Sequence, residues 1–238
     1  MGILKDTADL IFPRTCDICG KPADLSIAGA FVCASCMSGV VPLKSGKRWQ
    51  FCLSEPRTND PYKDMRLYVP YSYEGSVSLM VHALKFGGRI GLGHLMGSLL
   101  GQCMLSDKVM ADLIIPIPLS DRRLKERGYN QALVMAESLG KTLKIPVLKD
   151  VLKRTRDTKR QALFKDNIQR AENMIGAFYK DPSYELSDAR IILLDDVVTT
   201  GSTLTEAAFA LTSGEGDKGK ILCCAFASNR AIKNSESY

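Results

Sequence analysis

Residues 191–204, IILLDDVVTTGSTL, constrain this chain more than any other stretch. Four consecutive apolar residues read as a strand buried on both faces, the kind found inside a parallel sheet. Two adjacent carboxylates, Asp195 and Asp196, end the apolar run, and the loop Val197, Val198, Thr199, Thr200, Gly201, Ser202, Thr203 leads into a helix predicted over Thr203–Leu211. In an open α/β sheet, ligands bind beyond the carboxyl ends of the strands. Hydroxyls and free backbone N–H groups at a helix N-terminus form an anion site, and phosphate suits it. Two carboxylates would repel that phosphate unless they face another part of the ligand. Vicinal ribose hydroxyls donate to carboxylates, so a ribose 5-phosphate fits the acid pair and the loop together. The plainer reading of the same residues is a capped strand–loop–helix turn with solvated acids.

The rest of the pattern agrees with an α/β class. Ser76–Phe86 has apolar residues at helical spacing, with Ser76 placed to cap the helix and Gly87-Gly88 to stop it. Leu92–Leu105 reads as a second helix, Asp112–Pro118 as a short strand, Tyr129–Leu143 as a helix, Ile145–Leu148 as a short strand and Lys220–Ala227 as another buried strand. The chain has 238 residues, 45% apolar and 24% charged, which are globular values. Disorder of the whole chain and fibrous repeats are excluded. The N-terminal MGILKDTADLIFPR is too charged for a signal peptide, and the uncharged run 90–106 is too short and too rich in glycine for a membrane span. A cytoplasmic protein without membrane insertion is expected.

Four of the eight cysteines form Cys16-x2-Cys19-x13-Cys33-x2-Cys36. Without a secretory signal, disulfides are disfavoured. Two CxxC pairs around a hairpin-length insert suit a structural zinc ion closed by four thiolates, although the thirteen-residue spacer is slightly short. Gly20 and Gly39 follow the pairs and are expected to turn the chain so that N–H groups face sulfur. Buried small hydrophobes or redox thiols are the alternative. Cys52 alone does not read as a second metal site. Domain bounds follow: a zinc ribbon with an N-terminal helix over 1–45, a loop-rich connector over 46–70, and an α/β domain over 71–238.

The stretch 191–204 resembles the phosphoribosyl pyrophosphate (PRPP) motif of type I phosphoribosyltransferases. Further pieces occur in the order typical of ComF competence proteins. They are the Cys16–Cys36 ribbon, Tyr73-Glu74-Gly75, His82-Ala-Leu-Lys85-Phe86-Gly87-Gly88, Pro116-Ile-Pro118, Arg127-Gly128-Tyr129-Asn130-Gln131, Thr158-x2-Gln161, Arg170-x2-Asn173 and Gly176-Ala-Phe178. The resemblance covers nearly the whole chain. It implies a type I phosphoribosyltransferase-like parallel sheet flanked by helices, with a small N-terminal zinc ribbon held by four cysteines. It implies PRPP binding with Mg²⁺ at Asp195–Thr203 and a role in handling single-stranded DNA during natural transformation. An ATP-dependent competence DNA translocase and other transformation proteins are the implied partners.

The net charge is +6, but residues 121–170 hold fourteen basic and six acidic side chains, an excess of +8. Arg122, Arg123 and Arg127 follow the Asp112–Pro118 strand, where the resemblance places a pyrophosphate loop. Lys159 and Arg160 match the mobile loop that closes over such a site and are the catalytic candidates. Displacement of pyrophosphate builds charge on the leaving group, which Mg²⁺ and Lys or Arg stabilise. Lys85, beside two glycines, is a further candidate for phosphate contact. The same basic block suits a sequence-blind nucleic-acid track or a solvated face. Two functions therefore stand: a ComF-like protein that binds PRPP and single-stranded DNA, or an active phosphoribosyltransferase for a small base or amine.

Overall fold

The structure is a computed structural model describing residues 14–51, 65–154, 176–186, 188–212 and 220–229. The N-terminal helix expected before residue 14, and Cys52, Thr158, Lys159, Arg160, Gln161, Arg170 and Asn173, lie outside the described residues.

Strands β1 (Leu25–Ile27) and β2 (Ala30–Val32) form an antiparallel hairpin, followed by the short helix α1 (Ala34–Ser38). The main sheet has the order β3 (Trp49–Phe51), β4 (Arg66–Tyr68), β10 (Ile221–Ser228), β9 (Ile191–Val198), β6 (Leu113–Pro116), with β5 (Tyr71–Ser72) continuing β4's path along β10. All pairings are parallel except β3 with β4. Val147 bridges Ile114 in parallel, where the short strand over Ile145–Leu148 was expected. The stretch expected as a connector thus supplies two strands of the sheet. A separate hairpin pairs β7 (Leu152–Arg154) with β8 (Phe178–Lys180).

β9 and β10 occupy the centre because their apolar runs can be buried on both faces. Ile192 and Leu194 face one layer with Cys224 and Phe226; Ile191 and Leu193 face the other with Cys223 and Ala225. The first layer contains α2 (Gly75–Phe86), α3 (Ile90–Ser106) and α5 (Gln131–Leu143), and the short α4 (Asp121–Arg127) lies between β6 and α5 in the chain. The second layer contains α6 (Ser202–Thr212) and the β7–β8 hairpin. The four-cysteine unit joins the first layer through Cys16, Ala30, Val32 and Cys36.

The α3–α5 crossing explains why the uncharged run holds so many glycines. A Cβ on Gly97 would lie 2.1 Å from the Met135 carbonyl oxygen, and one on Gly101 would meet Thr142 at 2.6 Å. Small residues every fourth position let two helix backbones meet; a larger side chain would hold them apart and forfeit the dispersion attraction between them. α2 begins one residue earlier than expected. Glu74 occupies its N-cap position, Ser76 lies in the first turn, and Gly87 stops it as read from sequence. Ser76 instead sits under Gly39, whose added Cβ would fall 2.5 Å from the Ser76 hydroxyl. Gly39 has an ordinary φ of −80°. Its value is close approach and not a left-handed turn, whereas Gly20 does adopt φ +74°.

At the far end of α3, the Asp107 carboxylate accepts hydrogen bonds from the Ser45 hydroxyl, from Tyr68 Oη at 2.7 Å and from Arg48 at 3.1 Å. Burial opposes the charge, but these donors hold Asp107 below its ordinary value. This buried, satisfied ion pair ties residues 45–48 and β4 to the helix layer.

Candidate functional site

β6 ends in register with Leu194, and the Ile117 N–H makes a last bond to the Leu194 carbonyl at 2.8 Å. β9 runs on to Val198, so its last four residues extend past β6 on that side. The chain leaves β6 toward the α5 layer and leaves β9 toward the α6 layer. Adjacent parallel strands whose connections depart to opposite faces open a crevice between their carboxyl ends. A cleft of about 140 Å³ lies there. Asp195, Asp196, Val197, Val198, Thr199, Thr200, Gly201 and Thr203 line one side, and Lys85, Arg123, Arg127 and Arg154 bring positive charge from other segments.

The loop's shape has local causes. Gly201 has φ +93°, a conformation that a residue with Cβ adopts only under strain. The Thr200 hydroxyl accepts the Ser202 N–H at 3.4 Å and lies 3.0 Å from the Ser202 hydroxyl. α6 then starts with the Gly201 carbonyl accepting from the Thr205 N–H at 2.9 Å. The first turn of α6 lies beside the cleft, which Thr203 and Leu204 line. Ser202 itself is buried and does not line it.

The two carboxylates differ in surroundings. Asp196 is 8% exposed and meets Lys85 Nζ at 2.7 Å. Asp195 accepts the Asp196 N–H at 2.8 Å. Burial and the neighbouring Asp196 charge push Asp195 up to about 6, against the pull of Lys85, that N–H and Arg154. A carboxyl that changes charge near neutrality, facing cations across a polar cleft, is an arrangement that functional sites use.

Arg122 is not among the lining residues; it pairs with Glu126 at 3.3 Å on the exposed side of α4. Arg123, one residue on, turns inward; Ser120 caps the helix by accepting the Arg123 N–H at 3.4 Å and so sets where α4 begins. Ile117, Leu119 and Leu204 also line the cleft, although no site role was expected of them from sequence, and so does Arg154 of the basic block. For Arg154 a signal existed: it stands two residues after buried Leu152 on β7, hence on the same inward face.

Cys16, Cys19, Cys33 and Cys36 place their sulfurs within 4.8 Å of one another. Cys19 and Cys33 sulfurs are 3.7 Å apart, close to the roughly 3.8 Å edge of a tetrahedron with zinc–sulfur bonds of about 2.3 Å. The Cys36 N–H donates to the Cys33 sulfur at 3.4 Å. Burial raises Cys16, but N–H groups of Cys19, Cys33 and Ile18 outweigh it and hold the thiol near 7. The set fits a zinc ion, which would tie the Cys16–Cys19 turn to the start of α1. Four thiolates would leave no open coordination position, so the role of such an ion would be structural. His94 is engaged elsewhere, with Nδ1 3.0 Å from the Ser138 hydroxyl.

No protein-family model matches the chain. Among curated proteins, it is 34% identical over 142 residues to Competence protein F of Haemophilus influenzae, covering 56% of this chain and 61% of that one. It is 28% identical over 233 residues to DNA utilization protein YhgH of Salmonella typhi, covering 90% and 97%. The chain is thus similar to proteins named for competence and for DNA utilization. Competence protein ComFC of Bacillus subtilis is 33% identical over 109 residues, 45% of this chain and 40% of that one. Among solved structures, adenine phosphoribosyltransferase of Leishmania tarentolae is similar at TM-score 0.30 with 14% identity, over 76% of this chain and 82% of that one. At that score the likeness carries no argument, and the mixed α/β fold stands on its own strand order.

The structure also explains a run that carries the ComF-type resemblance. Arg127-Gly128-Tyr129-Asn130-Gln131 is the turn between α4 and α5. Gly128 ends α4 at φ +79°, and Asn130 caps α5 by accepting the Ala132 N–H at 3.0 Å. The Asn130 amide donates to the Ile117 carbonyl at 2.9 Å, and Tyr129 donates to the Leu84 carbonyl. Arg127 bonds Gln131 at 2.7 Å. The turn thereby fixes the cleft wall to α2. Among the described residues no helix is long and apolar enough to cross a membrane.

Proposed function

We propose that this chain binds PRPP in the β6–β9 cleft and single-stranded DNA beside it, and acts in the cytoplasmic handling of DNA during natural transformation. The observation that carries the reading is the meeting, in one cleft, of an acid pair with a Thr/Gly loop and of four cations from other segments. Asp195 and Asp196 suit the ribose hydroxyls, and the loop over 197–203 suits the 5-phosphate. Lys85, Arg123, Arg127 and Arg154 suit the pyrophosphate, with Mg²⁺ accompanying it to neutralise charge. Arg127 and Lys85 are already held by Gln131 and Asp196, so little rotamer freedom is lost on binding. The DNA part rests on relatives named for competence and DNA utilization; a DNA translocase as partner rests on the family resemblance of the sequence alone.

Calorimetry with PRPP and Mg²⁺ tests the pocket. Wild type should bind, and Asp195→Ala/Asp196→Ala should not; absence of heat and of thermal protection in wild type would end the reading. The cationic cluster opposite the loop also favours a second reading, in which a base or amine displaces pyrophosphate from PRPP. Its measure is pyrophosphate release on adding candidate acceptors, which a binding protein does not produce.

A further inference from the structure

α2 presents different residues to its two free sides. Lys85 turns into the cleft, whereas Phe86, the next residue, points outward and is 62% exposed. One turn back, the His82 ring lies 4.8 Å from the Phe86 ring, tilted by 47°, and Leu79, 49% exposed, continues the same face. The Arg127 guanidinium lies over Phe86, 5.5 Å from its ring centre. A single exposed hydrophobic residue needs no explanation, but a contiguous aromatic and aliphatic strip with an arginine above it does. Arg127 also lines the cleft. One cation therefore belongs both to a phosphate-sized polar cleft and to an exposed π surface.

We infer that Phe86, with His82 and Arg127, is a stacking platform for one nucleobase of a single strand whose backbone phosphate lies at the Arg123–Arg127 rim of the cleft. The inference rests on the DNA-binding part of the proposed function and gives it a place. Every base has a π face, so stacking on an exposed ring is sequence-tolerant, and an arginine at the ring adds cation–π attraction. The ring is open to solvent, so it accepts an unstacked base; a base inside a duplex has both faces covered and gains nothing there. The surrounding charge favours nucleic acid over an apolar protein partner: Arg122, Arg123, Lys125 and Arg127 all stand on α4, whose two acids are Asp121 and Glu126.

The test uses the full chain and a fluorescent oligothymidylate, with the same oligonucleotide carrying abasic sites as the second ligand. Phe86→Ala should weaken oligothymidylate binding about 5- to 150-fold, as expected for one lost base stack. The salt dependence should keep its slope, because no phosphate contact is removed. Phe86→Trp should restore affinity, and wild type should bind the abasic strand as weakly as the alanine variant binds the normal one. PRPP titration of Phe86→Ala should match wild type, showing an intact fold and cleft. Equal affinity of wild type and Phe86→Ala for the oligonucleotide overturns the platform while leaving DNA binding standing. A wild type that binds PRPP but no single strand overturns both the platform and the DNA part, and leaves the pocket. A Phe86→Ala variant that turns a dimer into a monomer overturns the platform in favour of a contact between copies.

Discussion

Asp195→Asn should stabilise the apo protein, and by an amount that depends on pH. Burial and the adjacent Asp196 raise Asp195 from 3.8 to about 6. The unfolded chain releases this proton near pH 4, while the folded chain keeps it until about pH 6. Between those values the native state binds more protons, so its stability falls as pH rises. A displacement of that size, at about 1.4 kcal/mol per pH unit, comes to about 3 kcal/mol. The penalty is absent below pH 4 and complete above pH 7. Asparagine carries no charge but keeps an oxygen able to accept the Asp196 N–H, now at 2.8 Å. It should therefore add up to about 3 kcal/mol at pH 8 but only about 1 kcal/mol at pH 4.5, and raise Tm at pH 8 by roughly 6–12 °C for a chain of this size.

The neighbouring substitution should act in the opposite sense. Asp196 is ion-paired with Lys85 at 2.7 Å, and both side chains are largely buried. Asp196→Asn removes that ion pair, leaving only the charge of Asp195 to attract the ammonium, and should cost about 1–3 kcal/mol at pH 8. Urea unfolding of the three proteins at intervals from pH 4.5 to 8 measures both effects. A constant difference between wild type and Asp195→Asn across that range refutes the argument, as does a less stable Asp195→Asn at pH 8. Loss of PRPP binding in the more stable variant is the expected companion result, since sites hold unfavourable charge for function.

Two further outcomes are expected. Cys33→Ser should lower bound zinc from about one per chain to a small fraction by metal analysis and raise amide exchange across residues 14–40 first, because the ion would tie the Cys16–Cys19 turn to the start of α1. Gly97→Ala should cost about 1–3 kcal/mol by denaturant melt, since its methyl would fall 2.1 Å from the Met135 carbonyl, whereas Gly46→Ala, with nothing within 4 Å, should not.

The parts legible in the sequence were those whose cause is local. The buried run and acid pair of β9, the Gly201 loop and the paired cysteines each carry their geometry within a few residues. What escaped depends on distant neighbours. Trp49–Phe51 and Arg66–Tyr68 are three-residue strands without enough length for a period; they hold together because Tyr68 meets the Trp49 ring edge-on at 5.0 Å and Arg66 lies 4.3 Å above it. Lys85 was legible as a phosphate candidate beside two glycines, but its pairing with Asp196, more than a hundred residues away in sequence, is set only by the fold. The glycines of α3 read only as a polar interruption, because the helix that presses on them, α5, lies some forty residues further along the chain. Arg122 and Arg123, equivalent by composition, are separated by the direction each takes from one short helix.

α2 shows how these parts bear on one another. Val77, Met80, Val81 and Leu84 bury its inner face in the core, together with Cys16, Cys33, Cys36 and Val40 of the four-cysteine unit. Its first turn lies against Gly39, and the neighbouring α3 begins against Gly29, where an added Cβ at Gly91 would meet the Gly29 carbonyl at 2.3 Å. Asp17, between Cys16 and Cys19, pairs with Arg89 at 3.5 Å just past the end of α2. The cysteine unit therefore buttresses the helix that carries Lys85 inward to Asp196 and Phe86 outward to solvent. A helix moves as a rigid element, so displacing that support shifts the cleft cation and the exposed ring together. A structural zinc ion held by the four cysteines would therefore bear on ligand binding in the cleft, which gives a physical reason for a four-cysteine unit packed into the core of an α/β domain instead of hanging from it by a linker.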